Sequence, residues 1–415
     1  MKIYDICFKI LKSVLKDKIS FSSSLKKNSA GVKKEDTVLA SNLSGLFLRN
    51  YFLICVIADA IFNVKDEEPL IYIGVVYMNN SYKKALDEKE SIKYLIQKLN
   101  LYQVKFDDEA KAKWEAAVAD KREFLRQNVG GNRFKFLSAR NNLPIWVVKS
   151  LINQYDDDIA IKTINAMTKM PSQFAYLNKA LAVEDYESKL GDFQKVQGNL
   201  YLYKSNNSIR KNELVRNGTL VPVQKAEYYF GLKLPDVQNG FVAMYFDGKN
   251  SVYPIVFDKY LANNKVSILS PNARGNSDLF LRVKNKAGDN LKVYESTQGE
   301  IIAHLSEKQD VFIYSPESSE LELLRRAPEY GILFDTTKLD GIIANQTKGL
   351  QDVVQYVAEG GYLIYIVPTF NIKETYVRTR DFLQNNKDFT FTGEKLFFPF
   401  EQENSVYYYA ILKRK

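Results

Sequence analysis

The chain has 415 residues, enough for two or three domains. Its 46% hydrophobic and 26% charged residues place it with globular proteins, not with disordered or fibrous chains. Lys and Arg (58) exceed Asp and Glu (49), giving a formal charge of +9 that suits a polyanion such as RNA or an anionic surface, or simply a Lys-rich composition. Two cysteines, Cys7 and Cys55, and a single histidine, His304, argue against a disulfide framework, a zinc site and a Cys–His nucleophile, so no metal is expected.

The opening stretch MKIYDICFKILKSVLKDK places Ile3, Cys7, Ile10 and Val14 on one helical face. Lysines recur through it and no small-residue cleavage site follows, so it reads as a helix and not as a secretory signal. Amphipathic spacing predicts helices over 3–16, 37–63, 69–78, 88–100 and 109–127, with the Ser/Lys/Asn-rich stretch 20–36 as a loop. Residues 1–128 thus read as an all-α domain. The apolar runs near 51–62 and 70–78 are too short to span a bilayer, so the chain reads as cytoplasmic with no membrane partner.

Gly130-Gly131 breaks the helical pattern. Asn141 or Asn142 is predicted to cap a helix starting near Pro144, with Trp146, Val147, Leu151 and Ile152 as its apolar face; a second helix follows over 157–169. Short strand-like pieces at 174–178, 200–204 and 219–224 make 129–238 a small α+β module. Over 239–415 strands alternate with helices, at 242–246, 266–269, 291–294, 311–314 and 362–367, which predicts a mostly parallel, Rossmann-like α/β sheet. A helix over 372–385 follows, and KLFFPF and SVYYYAILK close the chain as an antiparallel edge pair.

The stretch EGGYLIYIVPTFNIKE, Glu359 to Glu374, bears most directly on function. Its apolar run reads as a buried parallel strand stopped by Pro368, which cannot donate to the ladder. Carboxyl ends of strands face the ligand crevice in open α/β sheets, so Pro368 and Thr369 are expected where chemistry usually occurs.

Gln346, Leu350, Gly360, Gly361, Leu363, Tyr365, Glu374, Phe382, Leu383, Asp388 and Phe389 fall at a spacing that resembles the RsmB/Sun/NOP family of RNA (cytosine-5) methyltransferases. SPESSELELLRRAPE, 315–329, is similar to that family's Asp-Ala-Pro-Cys-Ser-Gly loop and the Arg-Arg-x-Pro beyond it, through Pro316, Ser318, Arg325, Arg326 and Pro328. LPIWVVKSLINQY, Asn178 and Gln224 extend the likeness more diffusely upstream. The resemblance implies an N-terminal NusB-like helical domain, an RNA-binding-like middle module and a C-terminal methyltransferase domain.

In that family a cysteine thiolate attacks C6 of cytosine, the methyl group comes from S-adenosylmethionine, and a second cysteine assists release. Here the release position is Glu317, the nucleophile position is Pro368, and the aspartate that contacts the base is Tyr314. No cysteine follows Cys55. The cofactor turn keeps only Gly248 and Lys249, Ser270 replaces the ribose-binding acid, and Glu295 is the one surviving cofactor-side acid. The resemblance therefore implies a degenerate member that holds no cofactor and binds RNA, with rRNA or a ribosomal subunit as partner and Arg325 and Arg326 as phosphate contacts. Read without it, Arg325-Arg326 is a solvated pair, Lys249 a surface lysine and Glu317 a candidate base of an unrelated site. Two further functions stay open: an active methyltransferase using S-adenosylmethionine, and a protein-interaction scaffold.

Overall fold

The computed structural model describes the chain except for Met1, 83–86, 248–251, 272, 274–276 and 403–404, and except for the side chains of 277–278 and 302–303. The chain divides into two compact units, Met1–Met170 with Leu323–Phe334, and Pro171–Glu322 with Asp335–Lys415.

The first unit is helical: α1 (Lys2–Leu15), α2 (Phe21–Asn28), α3 (Lys34–Leu48), α4 (Tyr51–Phe62), α5 (Glu67–Tyr82), α6 (Glu88–Asn100), α7 (Asp108–Ala119), α8 (Lys121–Val129), α9 (Arg133–Asn141), α10 (Ile145–Gln154) and α11 (Asp157–Ala166). Buried from Pro69 to Asn80, α5 is the central helix on which α1, α3, α4 and α6 pack. Such a helix shows no polar stripe, which is why its sequence lacks clear amphipathic spacing. Among the described residues no single helix is long and apolar enough to cross a membrane.

Four expectations change here. The stretch 20–36 is not a simple loop, because Ser20 caps α2 by accepting from the Ser23 N–H, and Ser24 Oγ donates to the Ile10 carbonyl at 2.8 Å. The run 37–63 is two helices meeting at a 76° bend. The bend is stitched by Asn142, whose Nδ2 donates to the Leu48 carbonyl (2.9 Å) while its Oδ1 accepts from the Phe52 N–H (3.1 Å). Asn142 itself ends α9 in the left-handed region (φ 49°), so it does not cap the following helix; Pro144 precedes that helix directly. The run 109–127 also divides, at Asp120, whose side chain caps α8 through the N–H groups of Arg122 and Glu123.

The second unit holds two sheets. A small antiparallel one comprises β1 (Phe174–Leu177), β2 (Phe193–Gln197), β3 (Leu200–Tyr203) and β4 (Leu220–Val223) in the order β2-β3-β1-β4. Here β2 was not foreseen, because four of its five residues are exposed and show no apolar alternation. The larger sheet comprises β5 (Phe241–Phe246), β6 (Lys265–Ser270), β7 (Leu291–Glu295), β8 (Gln309–Ser315), β9 (Val357–Val367), β10 (Phe389–Phe397) and β11 (Tyr407–Arg414) in the order β10-β11-β9-β8-β5-β6-β7. Strands β5 to β9 pair in parallel, and β11 runs antiparallel between β9 and β10. The two sheets share one core: Tyr176, Leu200 and Val221 cluster with Val242, Met244 and Ile268.

This is the Rossmann-like sheet expected from the apolar runs, with all five anticipated strands in it. The closing pair is antiparallel as expected, although β10 is already extended from Phe389 and pairs from there along β11. The Gly360-Gly361 pair has a steric cause. The ladder between β8 and β9 shifts register at this point, and a Cβ on Gly361 would lie 2.9–3.1 Å from the carbonyl oxygens of Ala358, Gln309 and Asp310. Gly360 sits at φ +74°.

Candidate functional site at the carboxyl ends of the strands

β5, β6, β7 and β8 all end on one edge of the sheet. Beyond their carboxyl ends lies a cavity of about 410 Å³, with Asp247, Pro271, Thr297, Gln298 and Glu317 on the strand-end loops and Asn345, Lys348 and Asp352 on the helix Leu339–Val354. Among the described residues three carboxylates against one lysine give it an acidic lining. The crevice expected at the strand ends is present, but Pro368 and Thr369, expected there, are not among its lining residues.

Two loops carry the residues in question. The loop after β8 runs through Pro316, Glu317, Ser318, Ser319 and Glu320; the loop after β9 runs from Pro368 to Thr375. They are held together by Glu374, whose side chain is fully buried. Its carboxylate accepts from the Ser319 N–H (2.8 Å), from Ser319 Oγ, from Gln346 Nε2 (3.0 Å) and from Asn371 Nδ2 (3.0 Å). Ser319 Oγ also lies 2.8 Å from Thr369 Oγ1, and the Glu322 N–H reaches the Pro368 carbonyl at 3.4 Å. A buried carboxylate is tolerated because each oxygen is matched by donors. This network also explains why the helix expected from 372 starts at Tyr376.

The structure brings Glu317 and Pro368 to these neighbouring loops. Glu317 is exposed and lines the cavity, and its carbonyl accepts from Gln346 Nε2 (2.9 Å). Pro368 is half-buried at the end of β9. The described cysteines belong to the helical unit, where burial pushes the thiol of Cys7 up to about 12 and that of Cys55 up to about 11. Neither is a thiolate near neutral pH.

Tyr314 is fully buried on β8 and donates to Gln298 Oε1 at 2.7 Å. In register with it lie Tyr245 on β5 and Tyr365 on β9, with ring centroids 5.7 Å and 6.3 Å from Tyr314. Tyr365 in turn donates to the Glu374 carbonyl (2.9 Å). Burial drives all three phenols well above their ordinary range, so they act as neutral donors and as packing. The ladder depends on Gly349: a Cβ there would lie 1.7 Å from Tyr314 Oη and 2.5 Å from Gln298 Nε2.

Glu320 was not singled out from the sequence. It adopts a left-handed backbone (φ 42°), and its carboxyl is pushed up to about 7 by burial first and then by the charges of Glu322, Asp247 and Glu317. Strained backbone and a perturbed acid coincide at Glu320, and sequence spacing gives no sign of either.

The cofactor-side expectations fall as follows. Gly248 and Lys249 lie outside the described residues. Ser270 ends β6 and is fully buried, leaving Pro271 to line the cavity, while Glu295 ends β7, paired in register with Ser270, and is exposed. Arg325 and Arg326 belong to the helical unit and do not form an equivalent surface pair. Arg325 is buried with Nε donating to the Lys169 carbonyl at 3.2 Å, whereas Arg326 is exposed. Their segment docks through Glu329, which accepts from the Phe21 N–H (3.0 Å), and through Phe334 stacked on Trp146 at 5.3 Å. Trp146 is thus a packing residue. His304 stacks on Tyr294 at 4.6 Å. Among the described residues no group of His, Cys, Asp and Glu is placed to hold a metal.

Most positions that carried the family resemblance prove to be framework. Gln346 and Glu374 bond each other, Leu350 is buried, Phe382 and Phe389 meet edge to face at 5.3 Å, and Asp388 pairs with Arg414 at 3.1 Å.

No family model matches the chain, and no curated protein matches it in sequence. Solved structures do match in fold. PH0851 superposes over 100% of this chain and 99% of its own, with a TM-score of 0.73 and 14% identity. A methyltransferase homolog protein from Pyrococcus horikoshii covers 67% of this chain and 98% of its own (TM-score 0.53, 13% identity). NSun6 from Pyrococcus horikoshii, with SFG, covers 65% and 97% (TM-score 0.52, 9% identity). At these identities the likeness is one of fold: a helical N-terminal region and a Rossmann-like, methyltransferase-type sheet.

Proposed function

We propose that the chain is a catalytically inactive RNA-binding protein on the scaffold of the RsmB/Sun/NOP methyltransferases, acting in the cytoplasm on rRNA or a ribosomal subunit. The observation that carries this reading is the pair of strand-end loops. Both thiol positions are filled by groups that cannot add to and leave a pyrimidine, Glu317 and Pro368, and the loops are locked through Glu374. The functional division that goes with it is a NusB-like helical domain over 1–128, an RNA-binding-like module over 129–238 and a methyltransferase-type domain over 239–415.

Among the described residues the end of β6 lacks the acidic acceptor that S-adenosylmethionine needs. A ribose diol needs an acceptor at the end of β6, and Ser270 is buried there behind Pro271. Glu295 is not among the cavity's lining residues. RNA binding is supported by the formal charge of +9 and by exposed cations on the helical unit, Arg326 among them. A second reading, an active methyltransferase with direct transfer to another acceptor, is favoured by the 410 Å³ cavity at the strand ends.

The test pairs filter binding of rRNA across a salt series with methyl transfer from labelled S-adenosylmethionine to the same RNA. Binding that falls steeply with salt and no incorporation are expected. Robust incorporation would replace the inactive reading with the active one. Absence of RNA binding at low salt would leave a protein-interaction scaffold.

A further inference from the structure

The helical unit contains a second cavity, of about 430 Å³, within the size range of small-molecule sites. Its cations come from four separate places in the chain: Arg49 after α3, Lys121 and Arg122 opening α8, Arg140 near the end of α9, and Arg325 from the docked segment Leu323–Phe334. Among the described residues no carboxylate lines it. Of the nearby acids, Asp120 caps α8 and Glu123 pairs with Arg126 at 2.9 Å, while Glu329, which accepts from the Phe21 N–H, acts on Arg49. Among the described residues Lys121, Arg122 and Arg140 form no ion pair. Burial pulls the Arg49 guanidinium below its ordinary range, although Glu329 opposes this, as expected of a partly enclosed cation without full compensation.

The rest of the lining is of a different kind. Leu46, Leu53, Leu125 and Leu324 form an apolar floor, and Tyr82, one of the exposed large hydrophobic side chains, stands beside it. An apolar floor, an aromatic face and the three cations Lys121, Arg122 and Arg140 suit a ligand with a flat ring at one end and phosphates at the other.

We infer that this cavity binds a nucleotide-type, phosphate-bearing ligand, with Lys121, Arg122 and Arg140 on the phosphates and Tyr82 against the ring. The chemistry is shared by a free nucleotide and by a nucleotide within RNA. The site stands on its own geometry and does not rest on the RNA-binding reading above.

The test is calorimetry of the full chain at low salt with ADP and with inorganic pyrophosphate. Both are expected to bind. Lys121→Ala with Arg122→Ala should weaken both by about tenfold or more, the scale of losing a charge-assisted hydrogen bond. Both residues are exposed, so folding should be kept, which a thermal melt checks. Tyr82→Ala should weaken ADP and leave pyrophosphate unchanged, a split that non-specific attraction would not give. Displacement of ADP by a short oligoribonucleotide would identify RNA as the source of the phosphate; ADP binding undisturbed by it would identify a free nucleotide. The inference is overturned if neither ADP nor pyrophosphate binds the wild type, or if the double variant binds both as well as the wild type.

Discussion

Glu374 is the sharpest point at which to test the loop lock. Glu374→Ala removes a fully buried carboxylate and leaves the Ser319 N–H, Gln346 Nε2 and Asn371 Nδ2 without their acceptor. Hydrogen bonds to a charged group contribute about 1.5–3 kcal/mol each, and a buried donor left unmade costs about 1–3 kcal/mol. Gln346 retains the Glu317 carbonyl and Ser319 Oγ retains Thr369, so part of the network survives. Loss of roughly 3–5 kcal/mol is therefore expected once this rewiring is allowed for. In a unit of this size that lowers the melting temperature by on the order of 10 °C. Glu374→Gln should lie between the two, because its amide nitrogen would face donors. The exposed Glu359→Ala is the control and should melt like the wild type. Urea unfolding followed by circular dichroism gives the numbers. A Glu374→Ala midpoint within about 1 kcal/mol of wild type would refute the claim that this carboxylate holds the two loops.

Glu320 predicts a pH effect of defined sign. Its carboxyl is pushed up to about 7 in the folded chain from 4.5, so between these values the folded state binds more protons than the unfolded one. Stability from this group is present below about pH 4.5 and is lost as pH rises towards 7; the gap in urea midpoint between wild type and Glu320→Gln should therefore change across pH 5–8, and a constant gap would exclude the perturbed acid. Arg325→Ala should destabilise the helical unit by about 1–3 kcal/mol, because the Lys169 carbonyl loses a buried charged donor, whereas Arg326→Ala, at an exposed side chain, should cost less; equal melts for both would contradict the burial of Arg325. Pro368→Cys with Glu317→Cys should not restore methyl transfer to RNA, since Ser270 and Pro271 still offer no ribose acceptor, and labelled product in that variant would show an intact cofactor site. Gly349→Ala should destabilise the mixed unit through contact with Tyr314 Oη, and Tyr314→Phe in the same chain should recover only part of the loss, because Gln298 still lies within 2.5 Å; full additivity in a thermal-melt cycle would remove the proposed contact.

The parallel strands of the large sheet were legible from residue pattern alone, because apolar runs such as GGYLIYIV are buried on both faces and need no partner to be recognised. The sequence also determined that the strand-end loops carry no thiol of their own, because no cysteine follows Cys55. Helix ends were less legible. Asn142 and Asp120 are both good capping residues, but the break at Arg49-Asn50 is stitched by a side chain some ninety residues away. The tertiary structure alone decided the character of both cavities. Glu374 is a hub because Ser319, Gln346 and Asn371 arrive from three segments, and Glu320 titrates high because burial and three other carboxylates meet it. The cationic cavity gathers Arg49, Lys121, Arg122, Arg140 and Arg325 from stretches with no common motif or period. Adjacent in sequence, Arg325 and Arg326 look equivalent; only the docking of 323–334 into the helical unit buries one and exposes the other, since side-chain burial depends on contacts that local spacing does not encode.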